Sequence, residues 1–201
     1  MNIDEINRRI DLGITNIINE NKLKESTDTN DQITNCIKLH KYIVLHNNND
    51  KAEYLSTVND VRINDLYNGV CNKVNDSIAN SVEFEEISKR LGITSRCVAS
   101  KYKNSYHISN MVLIKDSWYF FDSGLEKLLY DKSDHSSIEL HFAGLGSNSY
   151  CKNLTPEAIL PNNLNSQIEH VPSNIAKNDI SKVIVNAISN GLYSSNDILV
   201  K

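Results

Sequence analysis

With 201 residues, 40% of them hydrophobic and 23% charged, the chain has the bulk to bury a core and lies outside the composition range of disordered sequences. Its net charge of −4 and pI near 5.9 exclude nucleic acid as the default partner, because phosphate recognition needs a basic face. The acidic opening Met1-Asn2-Ile3-Asp4-Glu5 is unlike a secretory signal, and no run approaches the ~20 apolar residues that cross a bilayer.

Ile3, Ile6, Ile10, Ile14 and Ile17 recur at helical spacing and predict a helix over residues 3–18. Thr29 and Gln32 match a capping box, so a second helix follows, with Ile33, Ile37 and Val44 on one face and His46 near its end. Residues 47–50 read as a break, and the weak periodicity of 51–67 as loop with short helical turns. The clearest helix is expected over residues 71–91, with Val74, Ile78, Val82, Ile87 and Leu91 as its buried stripe and Gly92 as a left-handed C-cap. Strands are expected at 95–100, 106–114, 118–122 and 137–142, from alternation around His107 and from the run Trp118-Tyr119-Phe120-Phe121. Residues 143–174 hold all three prolines and read as irregular chain. A last helix is expected over 179–189, with Ile180, Val183, Ile184 and Ala187 apolar and Gly191 closing it. Helices first and antiparallel strands afterwards make an α+β order, and no repeat or linker divides residues 1–201 into more than one domain.

The chemistry-bearing candidates are Cys71, His107 and Asp122. A thiol in the first turn of a helix would meet unsatisfied N–H groups and the positive end of the dipole, which favour thiolate and can hold an oxyanion. Gly69 would let the chain turn sharply before it. If the strands around His107 and Asp122 form a hairpin with the two-residue loop Lys115-Asp116, the two side chains lie diagonally on one face; a four-residue loop would set them directly opposite. Either way they stand roughly 5–8 Å apart at Cβ. Asp122 can then orient the imidazole that takes the thiol proton.

Asn68-Gly69-Val70-Cys71, Leu91-Gly92-Ile93, His107-x-x-Asn110-x-Val112 and Trp118-Tyr119-Phe120-Phe121-Asp122 resemble the core of the transglutaminase-like superfamily. In that family a Gly-Val-Cys opens a helix, a His begins a hairpin strand and an Asp ends the next strand. The stretch from Ile37 to Val44 resembles the helix preceding its nucleophile. The match runs over residues 33–122 and the implied core over about 33–142, which leaves the helix in 1–28 and the tail 143–201 as decorations. The resemblance implies a papain-like α+β domain, N-terminal helices and a nucleophile helix on a small antiparallel sheet. It implies an acyl-enzyme formed by Cys71, His107 and Asp122 on a peptide or protein amide, with hydrolysis or deamidation ahead of crosslinking, and no cofactor or metal. The sequence departs from the family at Lys73, Ser109 and Ser123, where a small residue, an aromatic and a proline are usual. Those departures motivate the alternative of a catalytically silent binding or scaffold domain of the same fold; another papain-like peptidase is a third reading.

The four cysteines are widely spaced, with no Cys-x-x-Cys pair, and point to a reducing, cytoplasmic setting. Cys36 and Cys97 sit in apolar patterns as core residues, and Cys151 lies in the loop tract. His135, His141, Cys151 and His170 match no usual zinc spacing. Trp118 is expected in the core, and Asn110 either orients a loop or faces solvent.

Overall fold

Four helices come before the first strand. In the computed structural model, which describes residues 1–58, 60–102, 105–133, 138, 140–152, 154–156 and 168–180, the first is α1 (Ile3–Glu20). Asn2 caps it by accepting the Glu5 N–H at 2.8 Å, and Asp4 and Glu5 occupy the first turn, where the dipole favours acids. Ile6, Ile10, Ile14 and Ile17 form its buried stripe, while Ile3 is exposed. Helix α2 (Thr29–His46) begins one residue earlier than a Thr29 capping box would have it. Asp28 is the cap, accepting from the Asn30 and Asp31 N–H groups, and Gln32 reaches the Ser26 carbonyl instead. An ionised carboxylate is a stronger acceptor than a threonine hydroxyl, which explains the shift.

The stretch expected as loop contains α3 (Val61–Val70), capped by Asp60. Its buried face carries Asn64 and Asn68, which is why its periodicity is weak. Both amides latch the preceding chain: Leu55 N–H donates to Asn64 Oδ1 at 2.9 Å, and Glu53 N–H to Asn68 Oδ1 at 2.8 Å.

The single helix expected over 71–91 is not formed. Helix α3 ends at Val70 with Cys71 as its C-cap, Lys73 takes a left-handed φ of 53°, and α4 (Ser77–Arg90) starts behind a new cap, Asp76, which accepts the Ile78 N–H at 2.8 Å. The break has a tertiary cause. Residues 73–75 leave the helical path to bridge Asn49, whose N–H donates to the Lys73 carbonyl at 2.9 Å and whose carbonyl accepts from Asn75 at 2.8 Å. At the far end Gly92, at φ 72°, follows Leu91.

The strands β1 (Ser95–Tyr102), β2 (Ser105–Ile114), β3 (Ser117–Phe121), β4 (Ala143–Leu145) and β5 (Thr155–Pro156) form one antiparallel sheet in the order β4-β3-β2-β1-β5. Of the strand expected over 137–142, the described residues 138 and 140–142 form none. Leu140 has φ 58° and residues 141–142 lie in a turn, so pairing with β3 begins at Ala143; residues 134–137 and 139 lie outside the described residues. Two short helices, α5 (Ser123–Tyr130) and α6 (Ser147–Tyr150), follow β3 and β4. The last helix expected from the sequence falls almost wholly on residues 181–201, outside the described residues.

Alternation along the strands sorts the core. Cys97, Ala99, Ile108, Val112, Ile114 and Phe121 join the large cluster shared with the helices, whereas Val98, Met111, Trp118 and Phe120 join Leu145, Tyr150 and Leu154 in a smaller one on the other face. The architecture is α+β. Asn110 is buried, donating from Nδ2 to the Ser81 carbonyl at 2.9 Å, and Glu85 accepts the Cys97 N–H at 2.9 Å; both bonds tie α4 to the sheet. Phe84, fully buried on α4, meets Phe121 with ring centroids 5.7 Å apart. Phe84→Ala is therefore expected to lower stability by about 3–5 kcal/mol in urea unfolding. A loss below about 1 kcal/mol would contradict this packing.

Candidate active site

The β2–β3 hairpin turns through Lys115 and Asp116, with Ile114 paired to Ser117 and Asn110 to Phe121. That register leaves His107 and Asp122 diagonal on one face. The imidazole Nε2 stands 2.7 and 2.9 Å from the two Asp122 carboxylate oxygens. Asp122 is fully buried, and the His107 side chain is 14% exposed, so one edge of the ring is open to a ligand. A proton on Nε2 satisfies the carboxylate and leaves Nδ1 as the basic nitrogen.

Asp122 has two further duties. As the N-cap of α5 it accepts the Leu125 N–H on Oδ1 at 2.9 Å, and on Oδ2 it accepts the phenol O–H of Tyr150 at 3.2 Å. The Tyr150 oxygen also lies 2.9 Å from Ser109 Oγ. Ser109, which departs from the family pattern, thus belongs to the network behind the His–Asp pair.

Ser77 and His107 both come close to Gly124. Ser77 is the first residue of α4, half-buried, and the helix behind it is long enough to focus a dipole at its N-terminus. Gly124, in the first turn of α5, separates it from the ring. A β-carbon on Gly124 would stand 3.2 Å from His107 Cε1 and 3.6 Å from the Ser77 β-carbon. The absence of a side chain on Gly124 lets the imidazole and Ser77 approach each other closely. No hydrogen bond joins Ser77 to His107 among the described residues, a common state for such pairs before a ligand enters.

Cys71 lies in a different setting from the one its sequence context suggested. It caps the C-terminus of α3, where carbonyl oxygens and the negative end of the dipole disfavour a thiolate. No hydrogen bond joins it to His107. The charged groups acting on it are Lys73, Arg9 and Glu83. Burial pushes its thiol up to about 11, an effect that Lys73 and Arg9 oppose and Glu83 reinforces. Lys73 itself is engaged with buried Glu83 at 3.0 Å and lies over the Tyr42 ring, 4.9 Å from its centroid.

No protein-family model and no curated protein matches this chain. The site is read on its geometry.

All four cysteines are free thiols, Cys36 and Cys97 buried and Cys151 exposed. Among the described residues no three His, Cys, Asp or Glu side chains gather as metal ligands, and His135 lies outside them. No helix of the described residues is long and apolar enough to cross a membrane. Sequence reasoning missed Ser77, Gly124 and Tyr150. The signal for Ser77 was Asp76, a cap residue directly ahead of Ser-Ile-Ala; nothing local marks Tyr150, which reaches the site through β4 pairing.

A thiol raised to about 11 is almost entirely protonated at neutral pH, with thiolate near one part in ten thousand. Cys71 alkylation by iodoacetamide is accordingly expected to be slower than that of an unperturbed thiol at pH 7 and to accelerate through pH 9–10. Mass-spectrometric time courses check this, and fast alkylation already saturating at about pH 6 would refute it.

Proposed function

We propose that the chain is an acyl-transferring hydrolase of the transglutaminase-like, papain-like type, in which Ser77 rather than Cys71 is the nucleophile of a triad with His107 and Asp122. The supporting observation is the close approach at Gly124. An imidazole oriented by a buried carboxylate and a serine at a helix N-terminus both lie within 4 Å of where a side chain on Gly124 would begin. Counted from Ser77, one position agrees with the family pattern where Cys71 departs from it, although the Gly-Val ahead of the nucleophile precedes Cys71 and not Ser77. The small residue usual two positions after the nucleophile is then Ala79, whereas counting from Cys71 gives Lys73.

The chemistry follows from those groups. Ser77 Oγ attacks an amide, ester or thioester carbonyl, and its proton passes to His107 Nδ1. The oxyanion faces the first-turn N–H groups of α4 other than that of Ile78, which Asp76 already holds. His107 then returns the proton to the departing amine, alcohol or thiol as the C–N, C–O or C–S bond breaks. Water, deprotonated by the same nitrogen, cleaves the acyl-serine. Asp122 holds the ring in the tautomer with Nδ1 free. Peptides or proteins are the substrate class that the resemblance suggests.

A second reading, a silent binding domain of the same fold, draws support from the missing Ser77–His107 hydrogen bond and from Asp122 being needed as the α5 cap in any case. Fluorophosphonate labelling separates the two. A phosphoryl adduct is expected on Ser77, lost in Ser77→Ala, reduced about 10²–10⁴-fold in His107→Ala, and retained in Cys71→Ser. Gly124→Val, whose side chain would meet both His107 and Ser77, should also abolish it while leaving the circular dichroism unchanged. Thioester hydrolysis that disappears in Cys71→Ser but persists in Ser77→Ala would return the nucleophile to the thiol. Absence of both labelling and hydrolysis in the folded protein would favour the binding domain.

A further inference from the structure

Two separate donors fix the plane of the Asp122 carboxylate. Leu125 N–H holds Oδ1 at 2.9 Å, and Tyr150 O–H addresses Oδ2 at 3.2 Å. Backbone supplies the first in any α5-like helix. The second comes from a side chain that arrives from α6, 28 positions further along the chain. The Tyr150 ring is locked: it is 1% exposed, stacks on Phe120 at 3.9 Å between centroids and 5° between planes, and packs within the cluster of Val98, Met111 and Leu145. Its oxygen has one proton to give. Facing a carboxylate at one side and Ser109 Oγ 2.9 Å away at the other, it donates to the charged acceptor and accepts from the serine hydroxyl. Ser100, directly across the ladder from His107, is fully buried beside the same phenol. Burial and the neighbouring Asp122 charge push the phenol well above its usual range, so it remains a donor at any working pH.

We propose that Tyr150 is a positioning residue for the His107–Asp122 pair, acting through its hydroxyl rather than its bulk. The proposal rests on the acyl-transfer reading of Ser77 and His107 only for its kinetic consequence. With Oδ1 held by the Leu125 amide, the carboxylate is still free to swivel about its Cβ–Cγ bond, and Oδ2 without a donor would compete for the imidazole in more than one orientation. The Tyr150 proton removes that freedom and keeps Nε2–H aimed at the carboxylate, which leaves Nδ1 as the unprotonated nitrogen. Phenylalanine would fill the same volume and keep the stack on Phe120, but it could not do this.

The experiment uses the full chain with Tyr150→Phe and Ser109→Ala. The first readout is independent of catalysis: solvent exchange of the His107 Nε2–H, followed by proton NMR. Wild-type protein should show a protected downfield signal. Exchange should be faster by about 10-fold or more in Tyr150→Phe, as expected when a hydrogen bond to a charged group is lost. It should be faster by a smaller factor in Ser109→Ala, which leaves the phenol in place but unanchored. The second readout is hydrolysis of a p-nitrophenyl ester, where kcat should fall by a similar factor with KM unchanged. Exchange in Tyr150→Phe equal to wild type overturns the proposal. Should that variant not fold, unchanged exchange in Ser109→Ala overturns it instead. Protected exchange in the wild type that Tyr150→Phe loses, in a protein that hydrolyses nothing, supports Tyr150 as a positioning residue and refutes the acyl-transfer reading alone.

Discussion

The carboxylate of Asp122 stands at the junction of four elements, and the geometry around it depends on its being there. It follows the last residue of β3, caps the first turn of α5, accepts the phenol from α6 and receives the imidazole from β2. A buried carboxylate is unfavourable unless donors satisfy its oxygens. Here three donors do so, each from a different part of the fold. The group that would orient a catalytic base is therefore the one that fastens α5 and α6 to the sheet, and stability and chemistry draw on the same contacts.

Polar anchoring of this kind recurs where α4 meets the sheet. Asn110 bonds to the Ser81 carbonyl and Glu85 to the Cys97 N–H, both from buried positions. Apolar packing between a helix and a sheet tolerates sliding, because it is non-directional. Hydrogen bonds at fixed points do not, and leaving either group unpaired would cost about 1–3 kcal/mol. These two bonds set the axial position of α4 on β1 and β2. Its first residue, Ser77, is thereby held close to Gly124 instead of drifting by a turn.

Much of this was readable in the chain and some was not, for identifiable reasons. The isoleucine stripe of α1, the Gly92 stop and the shared face of His107 and Asp122 follow from local period and parity, which sequence carries directly. Helix α3 was hidden because Asn64 and Asn68 stand on its buried face and satisfy the backbone of residues 53–55. The gap between α3 and α4 was hidden because Val74 and Ile78 continue a helical stripe, while the interruption comes from Asn49, more than twenty positions upstream. Strand β4 and Tyr150 depend on pairing across a register shift at Phe120 and Phe121, and that is a tertiary event with no local mark.

The same interruption separates the two nucleophile candidates. Cys71 and Ser77 are close in sequence but occupy opposite electrical poles, the carbonyl end of α3 and the amide end of α4. Extending α4 backward to start at Cys71 would move that start about 9 Å along the axis from the position Ser77 now holds, at 1.5 Å per residue. It would also draw Lys73 away from Glu83, a fully buried carboxylate whose other partner is Asn47 at 2.7 Å. Stripping one partner from a buried ion pair costs about 3–5 kcal/mol. The bridge from Asn49 would be lost as well. The turn over residues 71–76 is thus held by interactions unrelated to any reacting group, and it keeps Cys71 at the carbonyl end of α3 and Ser77 at the amide end of α4.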